Sequence, residues 1–347
     1  MGSNQHVADQ LEESRGLVVD ATLEAVFQVA PDAWGRFGEA GKVTCRKLMD
    51  EHLGYLVQGL RYDSPQLFAA YVNWLTEMFT DMGFSRDHLS RTLHAFRSLL
   101  GTVLPPESAG IVDDFAKTGE VATLTKGPGL GHAVPLGEDA ALYLDALLAG
   151  DRATATAQVM GLVDGGMPIK SIYLDVFQAS QLELGRLWLS GGISVAQEHF
   201  CTAATQAIIS LLYPSIFSGP RNGKSMVATS VGGEFHELGV RMVADFFELD
   251  GWSTYYLGAD CPPPSIVTAL RERKACLLCL SATMVSNLPG VAAVIQLVRS
   301  AFPASEVRIM VGGGPFNVAP GLWDSIGADG SACDAAAAVE EASSLVQ

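Results

Sequence analysis

Basic residues are scarce in this chain: 22 Lys and Arg stand against 38 Asp and Glu, a formal charge of −16 over 347 residues. That excludes broad, sequence-independent binding to nucleic acid or to an anionic membrane, both of which need positive charge. Long apolar runs are missing as well, and none reaches the length of a membrane span. The opening MGSNQHVADQLEES lacks the basic region and apolar core of a signal peptide, and His6 stands where a myristoylation site needs Ser or Thr. The expectation is a cytoplasmic protein with no membrane contact. The six cysteines, Cys45, Cys201, Cys261, Cys276, Cys279 and Cys333, form no disulfide framework. Cys276 and Cys279 lie in a strand-like run, where positions three apart face opposite sides, so they read as core rather than as a chelating pair.

What is present is ample apolar content, 48% of residues, in a chain long enough for several domains. Residues 1–105 read as an all-helical N-terminal domain. Leu48, Leu53, Leu56, Val57 and Leu60 give one apolar stripe, and Leu89, Leu93, Phe96 and Leu100 another. Tyr71, Trp74, Leu75, Met78 and Phe79 make an aromatic stripe that suits core packing or the lining of a chromophore pocket. His52, His88 and His94 read as helix-surface histidines, and no DNA-binding signature is present. Residues 106–137 read as a linker opened by Pro105-Pro106 and containing Lys126-Gly127-Pro128-Gly129-Leu130-Gly131-His132. That glycine run is not a phosphate loop, because no Lys-Ser or Lys-Thr follows.

Residues 138–217 predict four helices with short connections, in the manner of a four-helix bundle. Asp151 and Ser194 sit as N-caps, and Gly165-Gly166 and Gly191-Gly192 are stops. Residues 224–347 alternate strand and helix, which predicts a parallel sheet covered on both faces. The predicted strands are 225–231, 252–257, 275–280 and 307–311, with a short one near Gly327. The stretch Gly232-Gly233-Glu234-Phe235-His236-Glu237-Leu238-Gly239 falls between the first strand and the first helix. Ligands collect at the carboxyl ends of strands in such a sheet. A carboxylate two residues before a histidine reaches its ring, fixes the tautomer and makes the other nitrogen the better metal ligand. The glycine spacing does not fit a dinucleotide fingerprint.

Glu234-x-His236-x-x-Gly239 resembles the cobalamin-binding signature Asp-x-His-x-x-Gly. Leu257-Gly258-Ala259-Asp260, Leu280-Ser281-Ala282-Thr283 and Gly312-Gly313-Gly314-Pro315 fit the same family in order. The resemblance implies a Rossmann-like, flavodoxin-like cobalamin domain and a helical bundle that caps the corrin. It implies base-off cobalamin with His236 as the lower cobalt ligand. Glu234, Gly239, Gly258, Asp260, Ser281, Thr283, Gly312 and Gly313 would then line the cofactor.

Trp188 followed after nine residues by Glu198-His199 resembles the upper-face constellation of CarH-type light-sensing proteins, around an adenosyl group. Leu189 departs from that pattern, since a histidine commonly stands there, and the DNA-binding domain of that type is missing. The helical N-terminal region makes the chain look more like photocobilins, which implies a noncovalent bilin such as biliverdin as a second chromophore. The expectation is a cobalamin photoreceptor, not an enzyme by itself. Light would break the upper bond of adenosylcobalamin and change a homo-oligomer or a protein effector. The alternative is a corrinoid methyl carrier for a separate methyltransferase.

Overall fold

The computed structural model describes residues 4–29, 38–81, 83–125 and 136–346. The chain divides into two compact units, one of residues 1–130 with 318–326, the other of residues 131–317 with 327–347.

The first unit contains the helices Gln5–Glu13 (α1), Arg15–Val29 (α2), Gly38–Arg61 (α3), Pro65–Asp81 (α4), Arg86–Val103 (α5) and Pro106–Ala122 (α6). Met49, Leu53, Leu56, Val57 and Leu60 of α3 are buried together with Leu67, Phe68, Tyr71 and Leu75 of α4 and with Leu89, Leu93, Phe96 and Leu100 of α5. α4 ends at Gly83, whose φ of +82° favours a residue without Cβ. Two expectations are corrected in this unit. The linker predicted from residue 106 is a helix as far as Ala122. Pro106 occupies its first turn, and Val112, Phe115 and Ala116 are buried in the core. Gly119 masks the periodicity, because a Cβ there would lie 2.4 Å from the Phe68 ring. The glycine run at 126–132 lies outside the described residues. His52 is not on the surface but fully buried, with Nδ1 2.8 Å from the Tyr71 hydroxyl. Its helix face coincides with that of Leu53, Leu56 and Leu60, which the sequence shows only if the stripe is read one residue wider.

The second unit begins with four helical stretches. These are Glu138–Leu148 (α7), Arg152–Asp164 (α8), the consecutive segments Ile169–Ser171, Ile172–Gln178 and Ala179–Leu189 (together α9), and Val195–Leu211 (α10). Asp151 caps α8 by accepting from the Thr154 N–H at 3.0 Å. Ser194 and Gln197 form a capping box on α10, each bonding the other's backbone N–H. The middle segment of α9 is a π-helix, and Tyr173 within it donates to Asp245 at 2.8 Å in the core.

After α10 come a short helix (Tyr213–Ile216), β1 (Ser225–Ser230), α11 (Leu238–Leu249), β2 (Ser253–Tyr256), α12 (Pro263–Arg273), β3 (Leu277–Ser281), α13 (Leu288–Ala301), β4 (Arg308–Gly312), two further short helices (Gly314–Val318 and Leu322–Ser325), β5 (Gly330–Ala332) and α14 (Ala335–Leu345). The sheet is parallel throughout, in the order β2-β1-β3-β4-β5. Strand order reverses between β1 and β3, so the crevice outside their carboxyl ends is where a ligand is expected. Ser281 pairs with Ser230 on one side and Gly312 on the other, which brings three predicted segments to one rim. Among the described residues no helix is long and apolar enough to cross a membrane.

Candidate functional site

β1 stops where its chain reaches the crevice. Gly233 adopts φ +80°, a left-handed geometry that favours glycine, and its N–H donates to Asp260 Oδ1 at 2.7 Å. The turn drives Glu234 inward to 1% exposure and leaves the His236 side chain 60% exposed. Glu234 Oε1 accepts from the His236 backbone N–H at 3.0 Å and lies 2.5 Å from His236 Nδ1. Glu234 Oε2 accepts from the backbone N–H of Thr283 at 2.8 Å, that of Met284 at 3.0 Å and the Asn287 amide at 2.9 Å. One carboxylate thus ties the β1 loop to the β3 loop across the crevice.

The electrostatics follow from those contacts. Burial works to raise the Glu234 carboxyl. Hydrogen bonds from the His236 ring, Asn287 and the backbone N–H groups of His236 and Met284 outweigh it and hold the group down to about 2. The same carboxylate raises His236, against partial burial, and the charge of Glu198 on α10 adds to the rise. With Nδ1 committed to Glu234, the Nε2 lone pair is on the exposed side of the ring.

These residues fit a metal that brings most of its own ligands. Among the described residues no group of three or more His, Cys, Asp or Glu could hold a bare ion. A single imidazole with a buried carboxylate behind it suits a metal already enclosed by a macrocycle. The backbone around it is kept free of side chains. A Cβ on Gly313, where φ is +109°, would lie 2.2 Å from the Ala282 carbonyl oxygen, so the β4 loop rests directly on the β3 loop. A Cβ on Gly239, in the first turn of α11, would meet no atom within 4 Å. The protein's own packing therefore does not require that glycine, and the space beside it is open.

Of the predicted residues, Glu234, His236, Asp260, Ser281, Thr283, Gly312 and Gly313 come together around the β1, β3 and β4 ends. Gly258 lies beside them, its Cβ position 3.2 Å from Glu237 Oε2. Trp188 is at the end of α9, partly exposed. Glu198 and His199 lie on α10, where Glu198 bonds His199 Nδ1 and accepts from Thr202 at 2.9 Å. No hydrogen bond joins these three to the sheet loops among the described residues; the charge of Glu198 is what reaches His236.

Sequence reading missed Asn287, Glu237 and the Gln206 that donates to it. Asn287 stands at the N-cap of α13 but makes no capping bond, spending its amide on Glu234 instead; an Asn at a helix start gives no hint of that. Glu237 accepts from Gln206 of α10 at 2.9 Å, from Tyr256 at 3.0 Å and from the Ala259 N–H at 3.1 Å. It joins the helices to the loop that carries His236, and its place directly after the histidine was the available signal.

Two family profiles, each described as a B12 binding domain, match residues 224–342 and 140–213. The chain is 30% identical over 167 residues to dimethylamine corrinoid protein 3 of Methanosarcina mazei, spanning 48% of this chain and 96% of that one. It is 31% identical over 167 residues to the dimethylamine corrinoid protein of Methanosarcina barkeri, spanning 48% of this chain and 75% of that one. The solved structure of the Methanosarcina barkeri monomethylamine corrinoid protein shares the fold, with a TM-score of 0.53 at 21% identity, over 59% of this chain and 96% of that one.

These matches correct the expected resemblance to CarH-type photoreceptors and photocobilins. The similar chains are named dimethylamine corrinoid proteins, which favours the corrinoid alternative over the photoreceptor. The light-sensing function falls with that resemblance, and so do the adenosyl setting given to Trp188, Glu198 and His199 and the biliverdin chromophore. Three residues at one spacing weigh less than two domain-length matches.

Proposed function

Because this chain belongs to the family of B12-binding corrinoid proteins, we propose that it carries a methyl group on a bound corrinoid and presents it to a separate methyltransferase. The chain is the carrier, and the catalyst is on the partner. The relatives' association with dimethylamine supports a methylated amine as the source of the methyl group. When bound, the corrinoid supplies a cobalt centre that accepts and releases a methyl group.

The chain's own residues supply the rest. His236 offers Nε2 as the lower ligand, and Glu234 keeps the proton on Nδ1 and the ring in one orientation. Thr283, Met284 and Asn287 fix the carboxylate, so the imidazole is aimed before the cofactor arrives. Gly258, Asp260, Ser281, Gly312 and Gly313 form the slot for the nucleotide tail, with Gly239 leaving room beside it. The helices of residues 138–217, which carry Trp188, Glu198 and His199, would cover the bound corrinoid and keep water from it until the partner docks. Docking there moves the cap aside, with the Gln206–Glu237 bond at its near edge.

The observation that carries this reading is the 2.5 Å contact between His236 Nδ1 and a fully anchored Glu234. The test loads the protein with cobalamin, reduces it to the Co(II) state and records the electron paramagnetic resonance spectrum. Nitrogen superhyperfine splitting that changes on 15N-labelling of the protein places a protein nitrogen on cobalt. Reduced further and treated with labelled methyl iodide, the holoprotein should retain one methyl per corrinoid through gel filtration. Splitting that ignores the protein label, or a methyl that elutes free, would sink the proposal.

A further inference from the structure

Phe235 is the neighbour of His236 whose exposure nothing in the fold accounts for. Its ring is 73% exposed, although the residue before it is buried. The loop cannot turn it inward. Glu234 is held by three donors from the β3 loop. The Glu234 carbonyl accepts from the Asp260 N–H at 3.0 Å, and Gly233 is pinned to the Asp260 side chain at 2.7 Å. With Gly233 and Glu234 held before it and the His236 N–H bonded to Glu234 Oε1 after it, a large apolar side chain is kept in water at the mouth of the crevice. Met284 is on the opposite lip, 41% exposed, its own N–H on the same carboxylate at 3.0 Å.

The geometry points to a seat. A macrocyclic metal held on His236 Nε2 would set its ring across the direction of that bond, over the loop tips beside the imidazole. The tips on the two sides of the Glu234–His236 pair present Phe235 and Met284. The lower face of a corrin is largely hydrocarbon, and covering it with these two side chains removes apolar surface from water on both partners. We propose that Phe235 and Met284 form an apolar platform under the corrin, which selects for the ring itself independently of the nucleotide tail. This rests on the corrinoid reading above and assigns to it two residues outside the motif.

The test titrates wild type, F235A, F235L, M284A and H236A with cobalamin and with cobinamide, which lacks the tail. Binding is followed by absorbance and by quenching of tryptophan fluorescence. F235A should bind both corrinoids roughly 10- to 100-fold more weakly, by an equal factor for the two, and F235L should lose less than about 5-fold. M284A should fall between them. The melting temperature of cofactor-free F235A should match wild type, since the side chain is largely exposed in that state, and at saturating cobalamin its histidine-ligand spectrum should remain. F235A within about 2-fold of wild type overturns the platform and leaves Phe235 to a protein partner. A loss seen with cobalamin but not with cobinamide overturns it too, because the tail would then be the contact. If H236A also leaves the spectrum unchanged, the corrinoid reading itself has failed; if H236A loses the signature while F235A is silent, only the platform has.

Discussion

Two histidines, one in each unit, show how little the residue type decides. His52 sits on α3 among Tyr71 and Phe96, with ring centroids 5.4 Å and 6.2 Å away and, among the described residues, no carboxylate bonded to it. Burial pushes it down to about 3, partly opposed by a bond to the Leu48 backbone, so it is a neutral ring in an aromatic core. His236 sits on a loop with its ring half in water and a buried carboxylate on Nδ1, and its affinity for a proton is raised. The first ring is stabilised by what surrounds it. The second is aimed by what lies behind it; the Nε2 of the first is also unpartnered among the described residues, but it is buried, whereas the second ring is largely open to solvent.

That contrast can be broken most directly at His236. His236→Ala should weaken cobalamin binding by more than about 100-fold and abolish the protein-nitrogen signature, while cofactor-free stability stays near wild type. His52→Ala should do the reverse. It should destabilise the helical unit by about 3 kcal/mol in denaturant titrations followed by circular dichroism, and leave cobalamin affinity within about 2-fold. A large affinity loss in the His52 variant would mean that the first unit also serves the cofactor.

Glu234→Gln sharpens the comparison by removing charge while keeping shape. Cobalamin affinity should drop about 10- to 100-fold, read in the same absorbance titration, with the ligand histidine still in place. The smallest expected effect concerns a second buried carboxylate, Asp245. Burial pushes it up to about 6, against the hydrogen bond from Tyr173 and the charge of Arg241, with Glu248 adding to the rise. Its folded value exceeds the ordinary 3.8, so its contribution to stability is full below that value and is lost as pH rises through about 6. Asp245→Asn should therefore be more stable than wild type at pH 7.5, by on the order of 1–2 kcal/mol, and the gap should close near pH 4. Thermal melts across that range decide it, and a gap that does not change with pH would show that Asp245 does not titrate there.

Much of the second unit was legible because its signals are local. Strand–glycine–helix alternation fixes which loops share a rim, and Glu234-x-His236 places acid and ring within reach of each other by covalent spacing alone. Asp151 and Ser194 announced their helices by the same short-range logic. The residues that escaped act across space. Asn287 reaches back to Glu234 over 53 positions, and Gln206 reaches forward to Glu237 over 31; no periodicity marks either. In the first unit, Pro105-Pro106 both follows the end of α5 and opens α6, and reading it only as a terminator hid the second helix. The functional misreading had a different origin. Trp188, Glu198 and His199 lie on the helices that precede the sheet, and their spacing alone does not say what a B12 binding domain, matched at residues 140–213 and 224–342, is used for.

The order of strands has a consequence for how the protein is made. β1 and β3 lie side by side although a complete helix–strand–helix passage separates them, and the partners of Glu234 come 49, 50 and 53 positions later in the chain. A nascent chain that has emerged only as far as β2 holds a carboxylate with most of its donors still unsynthesised. Its burial becomes favourable only once β3 docks. Competence to take up the cofactor is therefore acquired late in synthesis and all at once, and a ribosome stalled before Thr283 should display a histidine that does not yet know where to point.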